Sequence, residues 1–548
     1  MAEELSCCER APVLWLLLPW MAGLSLGRVV EAPLNHAVVL GAGVGCTLLS
    51  AVFSHRLVVW VIGLNAGVIL VGASWYQLCR NRLPEWEGRA PREVVVGVEV
   101  ERLFAAKPDP RKASGLGRIV HAQAHLASLV GQSVQFSGRL RGGVPRLVRS
   151  AVVEMIGQLE TVPRLAPPST FEGYLSGIGV NFKLTRARIT KERVPASVYW
   201  KWCDRMQGEM ADRLARGLEK HPGLVAVLRA VLLGSIGELS ERQDEWFTQS
   251  GTLHLFSVSG LHIGVMALAL TGMLVVLRVP AWARFFVIAI LIWLYVDITG
   301  RVPSAVRAFL MVMLFHGARV MRRPSNNLSM LVATAMIVLV VDPLQLFSAS
   351  FQMSYGIVLA LLALGLPMTR AWEIRHPPYP GVPVALWSWR HRLLDAMRRS
   401  SIGAVAVGLA TMPVSVVTGL LTFALITPGA LIANLVCIPL ASIGLLGGFA
   451  SIVAGACGET SLSILFNHAA ALVLALVDRG AEHFVELPGV SITGSFRAPW
   501  IGYLVLVTLV ALLLTGLQNG WSRRVGGFWP PFVFTGLVII FLVTFHGG

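Results

Sequence analysis

The chain has 548 residues, of which 55% are hydrophobic and 14% charged, and its mean hydropathy is +0.67. Soluble domains carry about 25% charged residues, so this composition excludes a wholly soluble protein and places most of the chain in lipid. The net charge of +16 fits either an anionic partner or the basic cytoplasmic loops of a membrane protein.

Apolar runs long enough to cross a bilayer, which takes about 20 residues, recur along the chain. No basic segment precedes the first run, so we expect it to remain as an anchor instead of a cleaved signal. The run 428–454 contains two prolines and is either continuous, broken or re-entrant. The sequence therefore predicts a polytopic α-helical membrane protein with about 13 transmembrane helices, in the runs 12–28, 37–53, 57–78, 258–277, 281–299, 303–321, 326–341, 345–369, 401–421, 428–454, 462–486, 499–517 and 528–546.

Arginines concentrate in four of the short loops between these runs. Basic residues in short loops mark the cytoplasmic side, and with these spans all four loops fall on one face. We therefore expect a multi-pass protein of the cell inner (plasma) membrane, with a cytoplasmic N-terminus and with residues 80–220 and the C-terminus outside. The loops are marked by Arg278 and Arg284, by Arg319, Arg322 and Arg323, by six arginines in 370–400, and by Arg523 and Arg524.

Residues 81–198 have the pattern of a soluble domain between two membrane blocks. The segments 93–103, 131–140 and 180–189 are typical of strands, and about 100 residues of short strands predict a small, OB-like external β-barrel. The part 94–192 holds 14 Lys or Arg against 7 Asp or Glu. The positive-inside rule does not require this surplus on the outer side, so it favours an acidic partner, with nucleic acid the first candidate. Its few aromatic residues are expected mostly in the core.

The remaining chain divides into two parts. Residues 199–250 combine Trp, Met and Leu at helical spacing with Lys and Arg, which predicts amphipathic, interfacial helices. Residues 251–548 form the second transmembrane block and follow the N-terminal transmembrane helices of 1–80 and the external domain.

Polar side chains open several apolar runs of the second block, where lipid offers them no partners. Residues 252–266 read T-L-H-L-F-S-V-S-G-L-H-I-G-V-M. A helix through this stretch would stack His254 and His262 near one face, and Gly260 and Gly264 form a G-x-x-x-G pattern suited to close helix contact.

Three further stretches also place polar side chains at the start of apolar runs: 299–307, 342–356 and 428–439. Arg307 lies about one turn into a span, where a cation costs a few kcal/mol, so it faces a partner or a watery cavity unless it snorkels to the interface. Together the stretches predict one hydrophilic path across the membrane, although each alone also fits helix-packing polar contacts. The predicted path residues are His254, Ser257, Ser259, Gly260, His262, Arg301, Ser304, Arg307, Gln352, Ser354 and Asn434.

Cysteine and nucleotide-binding patterns exclude several classes. No C-x-x-C pair occurs among the seven cysteines, so no metal site of that type and no cofactor is expected. Cys79 and Cys203 flank the external domain in a compartment that permits a disulfide, but spacing alone does not pair them. No G-x-x-x-x-G-K-[ST] loop is present, so the sequence does not predict a nucleotide-binding site of that type.

In combination, these motifs resemble the ComEC family of bacterial competence proteins. The resemblance covers nearly all of residues 12–520. One departure is Gly234-Ser235, where the family commonly has Gly-Asp; another is the lack of an H-x-H-x-D-H run, the metal-binding motif of the nuclease domain that many members carry. The matching segments are 250–264, 230–234, 304–308, 342–343 with 350–354, 433–435 with 438–439, and 171–178.

The resemblance implies a membrane channel, not an enzyme, for uptake of single-stranded DNA during natural transformation, with 251–548 as the channel domain and the path residues along the DNA route. It also implies an external DNA receptor, a cytoplasmic helicase motor and a separate nuclease as partners. Two other functions stay open: a transporter of small anions or lipid-linked intermediates, and an intramembrane serine hydrolase. The hydrolase would use Ser259 as nucleophile with His316 or His468 as base.

Overall fold

A computed structural model describes residues 11–30, 36–53, 55–104, 111–142, 146–164, 166–322, 326–379, 383–522 and 526–545. Arg323, Arg523, Arg524 and the last three residues, which the orientation argument used, lie outside these ranges. Within them the chain is mostly helical, with one five-stranded barrel and one small sheet.

The N-terminal block consists of α1 (Leu14–Val29), α2 (His36–Val52) and α3 (Leu57–Arg80). Helices α1 and α3 approach closely because α1 presents glycines where it meets α3. A Cβ atom on Gly23 would stand 2.3 Å from the carbonyl oxygen of Ile69, and one on Gly27 would stand 2.5 Å from that of Ala73. These two glycines therefore form a close-contact G-x-x-x-G pair.

The β domain predicted for 81–198 contains a closed barrel with the strand order β1-β2-β3-β5-β4. Strands β3 and β5 are parallel, and the other neighbouring strands are antiparallel. Alternate side chains of β1 and β4 point inward, as period-2 patterning requires, and Phe136 and Phe182 are buried in the core as predicted. The strands are β1 (Arg92–Leu103), β2 (Lys112–Ala122), β3 (Ser133–Leu140), β4 (Val152–Thr161) and β5 (Phe182–Val194), with α4 (Phe171–Gly177) before β5.

The barrel is seated on the C-terminal ends of α1 and α3. Arg80, at the end of α3, donates a hydrogen bond to the side-chain oxygen of Asn181. Gln132 donates to the carbonyl of Asn81 at 2.9 Å, and Arg164 donates to the carbonyl of Arg28 at 3.0 Å. Cys79 and Cys203, the pair left open by the sequence, are both free thiols.

Three helices follow the barrel: α5 (Val198–Ala215), α6 (Pro222–Leu233) and α7 (Glu241–Gln249). Helix α5 has the expected amphipathic pattern, and α6 is almost entirely buried. The C-terminal end of α5 is held by the buried amide of Asn467, which donates to the carbonyls of Arg213 and Arg216 at 2.8 and 3.0 Å.

The second membrane block contains the remaining helices. They are α8 (Gly260–Val276), α9 (Ala281–Ile298), α10 (Pro303–Val320), α11 (Asn327–Val341), α12 (Ala349–Ala360), α13 (Leu366–Arg375), α14 (Trp389–Phe423), α15 (Ala430–Ala456), α16 (Thr460–Val485), α17 (Pro499–Gln518) and α18 (Pro530–Leu542). One π turn, Leu361–Gly365, joins α12 to α13.

Eight helical segments in the described ranges are long and apolar enough to cross a membrane. The other five predicted spans are helical too, but α1, α2, α11 and α18 are shorter, and α10 is not among the eight. A membrane protein is thus confirmed, and the number thirteen stays a prediction.

The start of α15 and a small sheet complete the block. Helix α15 continues through Pro439, so its run is not broken there. It begins beside the middle of α14, where Leu431 packs so close to Gly408 that a Cβ on this glycine would lie 2.6 Å from the Leu431 side chain. Strands β6 (Leu425–Ile426), β7 (Ile492–Phe496) and β8 (Val543–Phe545) join the chain segments that follow α14, α16 and α18.

Candidate functional site

The N-terminal ends of α8, α10 and α12 meet at one junction. The Ser304 hydroxyl in the first turn of α10 donates to the carbonyl of Val258, just before α8, at 2.8 Å. Arg307, one turn further along α10, reaches Ser350 in the first turn of α12. The positive ends of three helix dipoles therefore lie close together, which favours negative charge nearby.

Arg307 is a buried cation with only neutral partners. Only 2% of the surface of Arg307 is exposed. Nη2 donates to the carbonyl and hydroxyl oxygens of Ser350 at 2.7 and 2.6 Å, and Nη1 donates to Oε1 of Gln345 at 3.4 Å. Nε has no hydrogen-bond partner, and no ion pair joins the guanidinium to a carboxylate in the ranges that the structure describes. Burial of an uncompensated charge costs several kcal/mol, so this arrangement is suited to an incoming anion.

Gln345 connects Arg307 to an acidic residue. Its amide nitrogen donates to Oδ2 of Asp342 at 3.0 Å, while its side-chain oxygen faces Arg307. Burial raises the pKa of the Asp342 carboxyl. The sequence motif included Asp342 and Ser350 but did not single out Gln345; its position between them within D-P-L-Q was the available signal.

The two histidines lie on separate elements. His254 is exposed in a short 3-10 turn, with Nδ1 3.0 Å from the carbonyl oxygen of Gly251, and Ser257 donates to the His254 carbonyl at 3.3 Å. His262 is buried in the first turn of α8. The helix expected to stack them is interrupted, because Ser259 is the extended N-cap of α8.

Ser259 and His262 form a reciprocal cap. His262 Nδ1 accepts from the backbone N–H of Ser259 at 3.2 Å and lies 2.9 Å from its hydroxyl. Ser388 and His391 repeat this pair at the start of α14, with a separation of 2.8 Å, so the arrangement is a capping device. His316 packs edge-on against Phe315, and His468 lies against Gly217; neither is the partner of Ser259 that the hydrolase hypothesis requires.

Gly260 and Gly264 face open space. A Cβ on Gly260 would meet only the Ala308 side chain at 3.9 Å, and one on Gly264 would meet nothing within 4 Å. The close helix contact predicted for this pair is wrong. The absence of side chains here leaves room beside the junction.

Arg301 belongs to a second cluster, which lies beside the barrel and is called the barrel-side cluster. It has a left-handed backbone with φ of 54°, its guanidinium lies 4.8 Å from the Trp293 ring centroid, and its Nε is 3.7 Å from the buried carboxylate of Asp297. The barrel contributes Arg149, which stacks on Trp200 at 4.3 Å. Burial, followed by the nearby Arg301 charge, lowers the pKa of Arg149.

Tyr199 connects this cluster to α5, the helix that follows the barrel. Its hydroxyl donates to Oδ2 of Asp297 at 2.7 Å, and burial together with that carboxylate raises the tyrosine pKa, so the donor stays protonated. Because hydrogen bonds to charged groups contribute about 1.5–3 kcal/mol, we expect Tyr199→Phe to lower the free energy of unfolding by about that amount. Thermal unfolding of the purified protein measures it.

The matched control is Tyr174→Phe, which removes a hydroxyl with no hydrogen bond in the described part of the chain. This variant should unfold like the wild type. Equal stability of both variants would show that the Tyr199–Asp297 bond does not hold α5 against α9.

Gln352, Ser354 and Asn434, three more of the predicted path residues, are not hydrogen-bonded to the junction either. Gln352 donates to the carbonyl of Leu346 at 3.1 Å and lines a cavity of about 30 Å³ with Arg28 and Tyr503 beneath the barrel. Ser354 is half-buried on α12. Asn434 lies on α15 with a buried, unpartnered Oδ1.

Comparison with known proteins identifies the family of this chain. The model of the family described as "Competence protein" matches residues 231–519, more than half of the chain. The chain belongs to the Competence protein family. It is also similar to the "ComE operon protein 3" of Bacillus subtilis (strain 168), at 23% identity over 141 residues, which is 26% of this chain and 18% of that relative. No solved structure matches the chain.

All eleven predicted path residues, from His254 to Asn434, lie inside the segment matched to the Competence protein family. So do Gln345 and Ser350, the partners of Arg307. The barrel and α5 lie outside it.

Proposed function

We propose that this member of the Competence protein family is an inner-membrane channel for single-stranded DNA during natural transformation. The observation that carries the proposal is Arg307, a cation that is 2% exposed, has only neutral partners and keeps Nε unpaired at the meeting point of three helix starts. A DNA phosphate supplies the anion that this site lacks.

The remaining path residues have complementary roles in the proposal. Arg301 receives phosphates at the barrel-side cluster, where it and Arg149 lie near the single buried carboxylate of Asp297. Ser257, Ser304 and Gln352 replace part of the water shell, and Gly260 leaves room for the strand. His254, Ser259, His262, Ser354 and Asn434 complete the route. Several neutral contacts around few charges allow binding weak enough for movement.

The barrel is proposed as an external, OB-like domain that receives DNA. Its support is the closed five-strand order with parallel β3 and β5 and the basic surplus of 94–192. The part 199–250 then links it to the channel domain 251–548, and 1–80 anchors it.

Thirteen spans with a cytoplasmic N-terminus complete the proposal. The seating of the barrel supports this orientation, because the ends of α1 and α3 and the segment just before α12 meet it on one face. A cytoplasmic helicase motor is one proposed partner, because the sequence carries no G-x-x-x-x-G-K-[ST] nucleotide-binding loop. An external DNA receptor and a separate nuclease are proposed from membership of the Competence protein family.

Deletion of the gene in a transformable host tests the channel. We expect labelled duplex DNA still to bind the cell surface, while the nuclease-protected strand inside the cell and the transformants both disappear, and the wild-type gene restores them. Electroporation of the same marker should succeed in the deletion strain, because recombination does not need the channel.

The alternatives give different results. Normal uptake of labelled strands by the deletion strain would refute the channel. Covalent labelling of the wild-type protein by a fluorophosphonate probe that is lost in Ser259→Ala, with the variant present at wild-type amount, would favour the hydrolase. Loss of phosphate or lipid-precursor transport, with DNA uptake intact, would favour the transporter.

A further inference from the structure

Three exposed cations lie side by side on the outer surface of the barrel. Lys112 on β2 is paired in register with Arg139 on β3, and Arg139 is paired with Arg188 on the parallel strand β5. Directly paired residues project from the same face of a sheet, and all three are exposed. We call these three residues the basic row.

The members of the basic row differ from other cations of the barrel. Arg118 pairs with Glu101 at 3.1 Å, Lys183 pairs with Glu172 at 3.0 Å, and Arg193 bonds to Glu154 at 2.9 Å. No carboxylate pairs with Lys112, Arg139 or Arg188 in the described residues. Since like charges on directly opposed residues are unfavourable, the basic row is electrostatically incomplete without a partner.

The strands carrying the basic row approach closely. A Cβ on Gly138 would stand 2.4 Å from the carbonyl oxygen of Ala187, the residues that precede Arg139 and Arg188. With strands about 4.8 Å apart, three neighbouring positions extend over about 10 Å. Such a line of cations fits a linear polyanion better than a single small ion.

The position of the basic row points away from lipid. Strand β3 starts at Ser133, next to Gln132, which contacts Asn81 at the end of α3. Arg139 is six residues further along β3, which corresponds to about 20 Å at 3.3 Å per residue. An anion on the outer side, not a headgroup of the membrane that holds the helices, is therefore the partner.

We infer that Lys112, Arg139 and Arg188 bind the phosphate backbone of single-stranded DNA on the outer face of the barrel, before the strand reaches the barrel-side cluster. The inference rests on the proposed function. Backbone contacts carry no base information, so binding is independent of sequence. Ile156 on β4 follows Arg188 in register, which places an apolar contact for a base or sugar beside the last cation.

Binding of an oligothymidylate of about 16 nucleotides to the full-length protein in neutral-lipid nanodiscs tests the inference. The wild type is compared with two triple variants. The row variant is Lys112→Gln/Arg139→Gln/Arg188→Gln. The control, Arg118→Gln/Lys183→Gln/Arg193→Gln, removes three positive charges from residues that have carboxylate partners. Fluorescence anisotropy measures affinity between about 50 and 200 mM salt.

We expect the row variant to bind roughly 50-fold more weakly at 0.15 M salt, with the slope of log affinity against log salt smaller by about 2, from about 0.7 per phosphate contact. The control should change affinity by less than about threefold, because paired cations contribute little to phosphate binding. Oligonucleotides of other base composition should give the same slopes.

The inference would be overturned if both variants bound the oligonucleotide equally more weakly than the wild type, or if the row variant bound it as tightly as the wild type. The inference would also be overturned if the row variant lost binding to acidic vesicles but still bound the oligonucleotide, because an acidic lipid would then be the ligand of the basic row. These failures are distinct from failure of the channel: a row variant that binds DNA normally leaves the deletion experiment unaffected, whereas normal transformation of the deletion strain refutes the channel whatever the barrel binds.

Discussion

Arg307→Met is expected to reduce transformation at least about 100-fold while the protein remains as stable as the wild type or becomes more stable. The guanidinium is buried with neutral partners and an unpaired Nε, so the folded protein bears its desolvation cost. Replacing buried ionic groups by apolar residues of similar volume is often neutral or stabilising by about 1–4 kcal/mol. Ser350 is exposed, so water can replace the lost donor.

The expected loss of uptake has a separate origin. A charge-assisted hydrogen bond contributes about 1.5–3 kcal/mol, and a factor of 100 corresponds to about 2.7 kcal/mol at 1.36 kcal/mol per tenfold. A strand whose phosphates lose this contact meets three helix starts lined only by neutral groups. Arg307→Lys keeps a charge but loses the forked geometry, so its uptake should lie between the two.

The measurements are transformation frequency, protein amount in the membrane and thermal unfolding of each variant. Arg319→Met provides the control, since Arg319 is exposed in the last turn of the same helix. The control should transform normally. A large loss of stability in Arg307→Met together with normal uptake per folded molecule would identify Arg307 as a tie between α10 and α12 with no role in transport.

Arg307 illustrates which features of this site the sequence predicts. Hydropathy gave its depth in a span, and the cost of a cation in lipid predicted that it meets a polar group. The partners are Gln345 and Ser350, 38 and 43 residues away, and local pattern does not encode which helix starts become neighbours. The position of the site was therefore predictable, whereas its contacts were not.

The barrel shows the same limit at the level of strands. Alternation of valine and polar residues identified β1 and parts of β3 and β5, and about 100 residues predicted a small barrel. The parallel pairing of β3 with β5 brings together segments separated by β4 and α4. The basic row exists only through this register, so counting charges predicted a basic domain but not the proposed binding surface.

The histidines and glycines of 252–266 illustrate how a cap overrides spacing. Helical spacing predicted His254 and His262 on one face, but the extended backbone of Ser259 starts α8 there. The G-x-x-x-G pattern of Gly260 and Gly264 likewise shows where small residues recur, not whether a neighbouring helix faces them. Identical spacing at Gly23 and Gly27 does meet a helix.

Gly23→Ala is expected to destabilise the protein by about 3 kcal/mol. Its Cβ would stand 2.3 Å from the carbonyl oxygen and 2.9 Å from the Cα of Ile69. These are backbone atoms of α3, so no side-chain rotation relieves the clash, and α1 and α3 must move apart. Overpacking of this kind costs about 1–3 kcal/mol and occasionally more, and the value here lies at the upper end because the obstacle is backbone.

Gly45→Ala is the matched control for Gly23→Ala. Gly45 lies within α2, and a Cβ there meets nothing within 4 Å. Alanine favours a helix over glycine by about 1 kcal/mol, so this variant should unfold at the wild-type temperature or slightly above it. The two substitutions add the same methyl group to helical glycines, so thermal unfolding of both isolates the effect of the close approach.

The separation of α1 from α3 has a consequence for the barrel. The backbone carbonyl of Arg28 at the end of α1 accepts a hydrogen bond from Arg164, and Arg80 at the end of α3 donates to Asn181, so both helices must keep their spacing to seat the barrel. Gly23→Ala should therefore also speed proteolysis between the barrel and its neighbouring helices. Identical unfolding and proteolysis of the two alanine variants would mean that the barrel is held by α5 and the Tyr199–Asp297 bond without help from the α1–α3 pair.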